Sequence, residues 1–214
     1  MDEPVDSRII QFLNENPEND GGQWEMVVNL LDKYGLVPQS IYPESFHSSN
    51  SGKLNHLLTS KLREYSLELR AIYKESQHAM RSVDKSATEK ARIAIDACRS
   101  RKTQQMSEIY SILVMTLGSP PKPSDSFRYE FYDKDKKFKL IESTPIDLLK
   151  SLAPTFVPQD CISLINDPRN ALDELYTVQR LGNVWNARPV LYVNTEPEVL
   201  EEAMVKMLKA DLPV

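Results

Sequence analysis

The apolar positions change period partway along the chain. Over residues 6 to 16, Ile9, Ile10, Phe12 and Leu13 form a helical stripe that stops before Pro17, with Asp6 or Ser7 placed to cap it. After the Asn19-Asp20-Gly21-Gly22 turn, Met26, Val27, Leu30, Leu31 and Tyr34 keep helical spacing from Trp24 onward. Gly35 is placed to close that helix with a positive φ. A longer stripe of Leu54, Leu57, Leu58, Leu62, Tyr65, Leu69 and Ile72 predicts a helix of several turns ending near Met80. Ser86 and Glu89 have capping-box spacing for a next helix, with Ala91, Ile93, Ile95, Cys98, Met106, Ile109, Leu113 and Leu117 as its core face. Gly118-Ser119-Pro120-Pro121 ends it.

Beyond this point the period falls to two. Phe127, Tyr129 and Phe131 alternate with Arg128, Glu130 and Tyr132, and Phe138 and Leu140 alternate with Lys137 and Lys139, around the charged Asp133 to Lys136. This predicts a hairpin. Thr144-Pro145 opens a helix through Leu152. Cys161 to Ile165 and Val190 to Val193 read as strands, and Glu196 to Lys209 reads as a last helix with Val199, Leu200, Met204 and Leu208 inward. Helices followed by strands mixed with helices predict an α+β fold.

Composition narrows the chemistry. The 214 residues hold six glycines in positions that can form neither a G-x-G-x-x-G loop nor a phosphate-binding G-x-x-x-x-G-K-[ST] loop. No span approaches the roughly 20 apolar residues of a membrane crossing. Two cysteines are too few for a disulfide framework, and MDEPVDSRII lacks the regions of a signal peptide, so a cytoplasmic location is expected.

The net charge is −5, yet residues 53 to 110 carry twelve Lys and Arg against seven acids. This basic block could touch phosphates. Its bases alternate with acids along the helices, however, which is the pattern of a solvated, salt-bridged face.

His47, His56 and His78 show no metal-ligand spacing, G-x-S-x-G is absent, and no cofactor is expected. Cys98 lies mid-helix on an apolar face and Cys161 opens an apolar run, whereas a reactive thiol favours an exposed helix N-terminus. Both read as buried structural thiols. Adjacent acids such as Glu201 and Glu202 point in different directions on a helix and make no dyad.

Several phrases together are more specific. Asp20-Gly21-Gly22-Gln23-Trp24-Glu25-Met26, Lys33-Tyr34-Gly35-Leu36-Val37-Pro38 and Tyr42-Pro43-Glu44 are followed by Leu117-Gly118-Ser119-Pro120-Pro121 and Tyr129-Glu130-Phe131-Tyr132-Asp133. Then come Ser163-Leu164-Ile165-Asn166-Asp167-Pro168-Arg169, Leu175-Tyr176-Thr177-Val178 and Leu181-Gly182-Asn183-Val184. In this order they resemble the bleomycin hydrolase family of papain-like cysteine aminopeptidases over nearly the whole chain.

The resemblance implies a partial papain-like fold. Residues 1-50 would be the rest of the helical half-domain, 51-117 a helical insertion and 118-214 the first part of the barrel-like half. It places the nucleophilic cysteine upstream of this sequence and the catalytic histidine and asparagine downstream, so no catalytic residue carries over. The expectation is an internal fragment, inactive by itself, whose strands at Cys161–Ile165 and Val190–Val193 lack neighbours. Asn19, Asp20, Gly21 and Gly22 carry over as substrate-binding residues, because side-chain-free positions let an extended peptide approach the backbone.

By the same resemblance the partners would be peptide substrates and further copies in a hexamer, with weak nucleic-acid binding through residues 53-102 and no membrane. The alternative reading is a non-catalytic helical interaction or nucleic-acid-binding protein.

Overall fold

The computed structural model describes residues 3–18, 21–80, 85–152, 154 and 157–212. Within helices, the side chains of residues 76–88, 90 and 91 lie outside that description. Two contact units emerge, one comprising Met1–Asp20 with Pro43–Pro120, the other Gly21–Tyr42 with Pro121–Val214.

In the first unit, α1 (Arg8–Glu15) is capped by Ser7, whose Oγ accepts the Ile10 amide at 3.3 Å. Ile10 is buried, while Phe12 turns outward. The carbonyl end of α1 is met by Arg63, which donates to the oxygens of Asn14 (2.7 Å) and Glu15 (2.9 Å), where a cation satisfies the last carbonyls. A single-turn α3 spans Phe46–Ser49.

Helices α4 (Gly52–Met80) and α5 (Lys85–Leu117) pack against each other. Leu54, Leu58 and Tyr65 of α4 and Cys98 of α5 are buried in the apolar layer, whereas Leu57, Ile93 and Met106 face out. The seam also holds a polar layer. Glu68 accepts from Arg101 Nε at 2.6 Å, Arg101 Nη2 at 3.1 Å and Gln105 Nε2 at 2.8 Å, and the Tyr65 hydroxyl donates to Glu108. That bond, with burial, pushes the Tyr65 hydroxyl up to about 12. Ser86 lies inside α5, and the Glu89 carboxylate faces Arg92 at 2.7 Å.

In the second unit, α2 spans Trp24–Tyr34. The expected hairpin forms from β1 (Phe127–Tyr132) and β2 (Phe138–Ser143), antiparallel, with Phe127 opposite Ser143 and Tyr132 opposite Phe138. Asp133 organises its turn: Oδ1 accepts the amides of Asp135 (2.9 Å) and Lys137 (3.0 Å), with Lys136 at φ +60°. Helix α6 (Pro145–Leu152) starts on proline, whose missing donor costs nothing at a first helical position, and buries Pro145 and Leu148.

The remaining strands, β3 (Ser163–Ile165), β4 (Glu174–Tyr176) and β5 (Tyr192–Asn194), form one sheet in the order β3-β5-β4. Strand β5 is parallel to β3 and antiparallel to β4. The expectation of unpaired strands is thereby corrected: the stretches read as solitary pair with each other, and β4 flanks the far side of β5.

Helix α7 (Pro197–Lys209) closes the described chain. Its expected inward face is also corrected. Val199 is 46%, Met204 49% and Leu208 65% exposed, only Leu200 is half-buried, and no described element covers the stripe.

Candidate functional site

The local chemistry around Gly21-Gly22 begins with what the fold does not demand there. Both glycines are exposed and outside regular structure; Asn19 and Asp20 lie outside the described residues. Among the described residues, a Cβ added at Gly22 would meet only Met26 Sδ, at 3.8 Å, an ordinary contact. Its φ also falls outside the positive region. Neither packing against the described residues nor backbone strain asks for glycine at this position, so among them its bareness leaves open space in front of the main chain. The segment passes directly into α2 through Gln23, whose extended backbone (φ −111°, ψ 160°) forms the cap and whose amide faces Met26 Sδ at 3.4 Å.

What holds α2 is polar. Glu25, Val28 and Asn29 are its buried residues, while Val27, Leu30 and Tyr34 from the expected apolar stripe are 44–48% exposed, and Trp24 beside them 37%. Ser163 of β3 donates to the Glu25 carboxylate at 3.1 Å. Asn29 Nδ2 donates to Asn183 Oδ1 at 3.0 Å and to the Arg188 carbonyl at 2.9 Å, and Asn183 Nδ2 reaches that same carbonyl at 2.8 Å. Lys33 Nζ donates to the Trp185 carbonyl at 2.8 Å, and Gln159 donates to Asp32.

These bonds offset the cost of burying polar groups, and they fix α2, and with it the glycines, against β3 and the 183–188 loop. Tyr192 of β5 has its hydroxyl pKa raised, first by burial and then by the Glu25 charge. The signal for this docking face was present in the sequence, since Glu25, Asn29 and Lys33 fall at helical i, i+4, i+8 spacing.

The thiols stand apart from this segment in chemical setting. Cys98 is buried, its Sγ 3.8 Å from the Leu69 carbonyl. Cys161 is only half-buried and follows a short 3-10 turn (Pro158–Asp160), which corrects its reading as a buried strand residue. His47 lies edge-on to Phe46 at 5.3 Å between ring centroids, His56 is exposed, and the side chain of His78 lies outside the described residues. Among the described residues no group of three His, Cys, Asp or Glu side chains is placed to hold a metal ion, and no helix is long and apolar enough to cross a membrane. Four bases of the 53-102 block, Lys61, Arg92, Arg99 and Arg101, pair with Glu64, Glu89, Asp96 and Glu68.

The comparisons with known proteins agree with one another. The chain is 38% identical over 210 residues to aminopeptidase C of Listeria monocytogenes and 35% identical over 211 residues to bleomycin hydrolase of Homo sapiens. Each match covers 97% of this chain and 42% of the relative. It is 38% identical over 210 residues to cysteine proteinase 1, mitochondrial, of Saccharomyces cerevisiae, covering 97% of this chain and 40% of that protein. The crystal structure of PepW from Lactobacillus rhamnosis HN001 superposes with a TM-score of 0.81 at 35% identity, covering 98% of this chain and 43% of that one. The chain thus spans about two fifths of the length of the relatives it matches, and the mixed α+β architecture is that of a papain-like peptidase. With the model of the peptidase C1-like family matching residues 1–214 throughout, the chain belongs to that family.

Proposed function

We propose that this chain is part of a bleomycin hydrolase-like cysteine aminopeptidase and supplies one wall of its peptide cleft, with Asn19, Asp20, Gly21 and Gly22 lying along the extended substrate. The thiol nucleophile and its histidine base come from residues outside these 214. The reaction is removal of N-terminal residues through a thiol acyl-enzyme, in the cytoplasm.

The observation that carries the reading is Gly22: a position where the fold would tolerate a side chain, exposed, and continuous with a helix locked in place by Glu25 and Asn29. A backbone free of side chains is what strand-like pairing with a peptide requires. The test is a titration of the isotope-labelled chain with an extended peptide bearing a free N-terminus. Amide resonance shifts centred on Gly21 and Gly22 support the reading; shifts confined to other surfaces overturn it.

A further inference from the structure

The β1–β2 hairpin is a sheet of two strands, so among the described residues each strand has one edge without a neighbour. The Asp133 amide donates to the Lys137 carbonyl at 3.0 Å, which turns its backbone toward β2. Backbone direction alternates along a strand. Phe131 and Tyr129 therefore also face β2, and the amides and carbonyls of Arg128, Glu130 and Tyr132 face away from it. No described residue bonds those outward groups, and all three side chains are exposed.

This edge carries charges of both signs. Arg128 and Glu130 project from one face of β1, their charged groups 3.0 Å apart and their side chains 60% and 52% exposed. An open edge bearing one sign of charge repels a copy of itself, which is how many natural sheets guard against association. Alternating signs remove that guard in one register. Two copies of β1 pairing antiparallel are related by a two-fold axis. Centring the axis on Tyr129 sets Arg128 opposite the partner's Glu130, and Glu130 opposite the partner's Arg128. Both members of each pair present outward backbone groups, so these are the hydrogen-bonded pairs, each exchanging two bonds. On the other face Tyr129 meets the partner's Tyr129 and Phe127 meets the partner's Phe131, aromatic pairs that stabilise neighbouring strands. Centring the axis on Arg128 or on Glu130 sets like charges opposite each other. Centring it on Phe131 sets Glu130 against the partner's Tyr132. The outward residues of β2 are Phe138, Leu140 and Glu142, which hold no cation to match the acid.

We propose that β1 is a dimerisation edge, at which two copies of this chain pair strand to strand, antiparallel and centred on Tyr129, in a four-stranded sheet of order β2-β1-β1-β2. The occupant is set by the edge's own sequence: a second copy brings the opposite charges at the required spacing together with the aromatic residues between them. Pairing about a two-fold axis closes after two copies. The inference is independent of the peptide-cleft reading.

The test follows amide hydrogen exchange of the isotope-labelled 214-residue chain over a concentration series, beside sedimentation. The expected result is a monomer–dimer equilibrium in which the Arg128 and Glu130 amides gain protection as dimer forms. Those of Tyr129 and Phe131, directed at β2, should change less. Arg128→Glu sets acid opposite acid and Glu130→Arg sets base opposite base. Each should weaken the dimer about tenfold, because the symmetry reverses two pairs at once. The double variant Arg128→Glu with Glu130→Arg exchanges the charges, restores the match and should recover the original affinity, which separates register from damage to the fold. A chain that stays monomeric across the series, association that leaves the Arg128 and Glu130 amides unprotected, or a double variant as weak as the single ones would each overturn the proposal.

Discussion

Asn194 and Asp167 exchange two hydrogen bonds: the Asp167 amide donates to Asn194 Oδ1 at 2.7 Å, and Asn194 Nδ2 reaches the Asp167 carbonyl at 3.1 Å. The same Nδ2 lies 3.1 Å from the carbonyls of Asn170 and Ala171, and Asn166 Nδ2 returns to the Thr195 carbonyl at 2.7 Å. One fully buried side chain at the end of the central strand thus holds the whole 166–171 loop on the sheet. Asn194→Leu keeps the volume and strands these groups. The expected loss is about 2–4 kcal/mol, from several buried polar groups left unsatisfied, and it is read by denaturant unfolding together with faster hydrogen exchange across 166–171. Unchanged stability would show that water replaces the side chain without cost.

The same loop carries an acid-sensitive pair. The Arg169 guanidinium, at 2.6 Å, and then the Arg169 amide hold the Asp167 carboxyl at about 2, below its ordinary 3.8. A depressed carboxyl contributes stability above its unfolded value and loses that contribution as the pH falls from about 3.8 through about 2. Arg169→Gln should therefore move the carboxyl resonance titration of Asp167 upward and flatten the fall in stability over that acid window. Tyr65 works in the opposite sense. Its hydroxyl is raised from 10 to about 12 by its bond to Glu108, so its contribution is full below pH 10 and is lost as pH rises toward 12. Ultraviolet titration of Glu108→Gln should find it shifted back down.

Two glycines separate folding from access. At Gly35 an added methyl meets the Pro145 backbone at 2.1 Å with φ at +76°. Gly35→Ala should cost about 2–4 kcal/mol from overpacking plus positive-φ strain. At Gly22 the nearest atom among the described residues is a flexible thioether sulfur at 3.8 Å, so Gly22→Ala should change stability by about 0.5 kcal/mol or less. It should still weaken the peptide-induced shifts at Gly21 and Gly22. Equal stability losses at the two sites, measured by thermal unfolding, would contradict this division.

Much of the architecture was legible because local signals agreed with each other. The existence of α4 and α5, the period-two hairpin with Asp133 at its turn, and Pro145 at a first helical position follow local rules that tertiary packing had no reason to override. The misses have one physical origin, which is that hydrophobicity does not say which face a neighbour covers. Helix α2 buries Glu25 and Asn29 because Ser163, Asn183 and Arg188, more than 130 residues away, supply their partners, and no window around α2 contains that information. Gln105 is fully buried beside Glu68 for the same reason. Strand β4 has only three residues, Glu174–Tyr176, too few to show alternation. At the candidate site the glycine pair could be read by resemblance, but its anchoring by Glu25, Asn29 and Lys33 required the fold.

Purified chain should release no fluorogenic leaving group from an aminoacyl substrate above buffer. Cys98 sits against the Leu69 carbonyl in the α4–α5 seam, and among the described residues no histidine shares a hydrogen bond with Cys98 or Cys161, the pairing that thiol catalysis uses. Turnover that a thiol blocker abolishes would contradict this, and Cys98→Ser and Cys161→Ser variants would then identify the nucleophile.

The exposed stripes on α2 and α7 carry a consequence for solution behaviour. Trp24, Val27, Leu30 and Tyr34 recur at helical spacing on one, and Met204 and Leu208 lie one turn apart on the other, each more than a third exposed. Scattered apolar residues on a surface are ordinary, but contiguous stripes lose free energy in water at roughly 25 cal/mol per Å² and recover it by association. The chain is therefore expected to self-associate with increasing concentration. The double change Met204→Lys with Leu208→Lys should reduce that association while leaving the circular dichroism and the unfolding midpoint nearly unchanged, because neither side chain fills a core. Leu148→Ala is the matched contrast: that side chain is fully buried, so the change should cost about 2–5 kcal/mol and leave association undiminished. Sedimentation over a concentration series, run beside denaturant unfolding, separates the two. If the double lysine variant unfolds as readily as Leu148→Ala, the α7 stripe is part of the core after all.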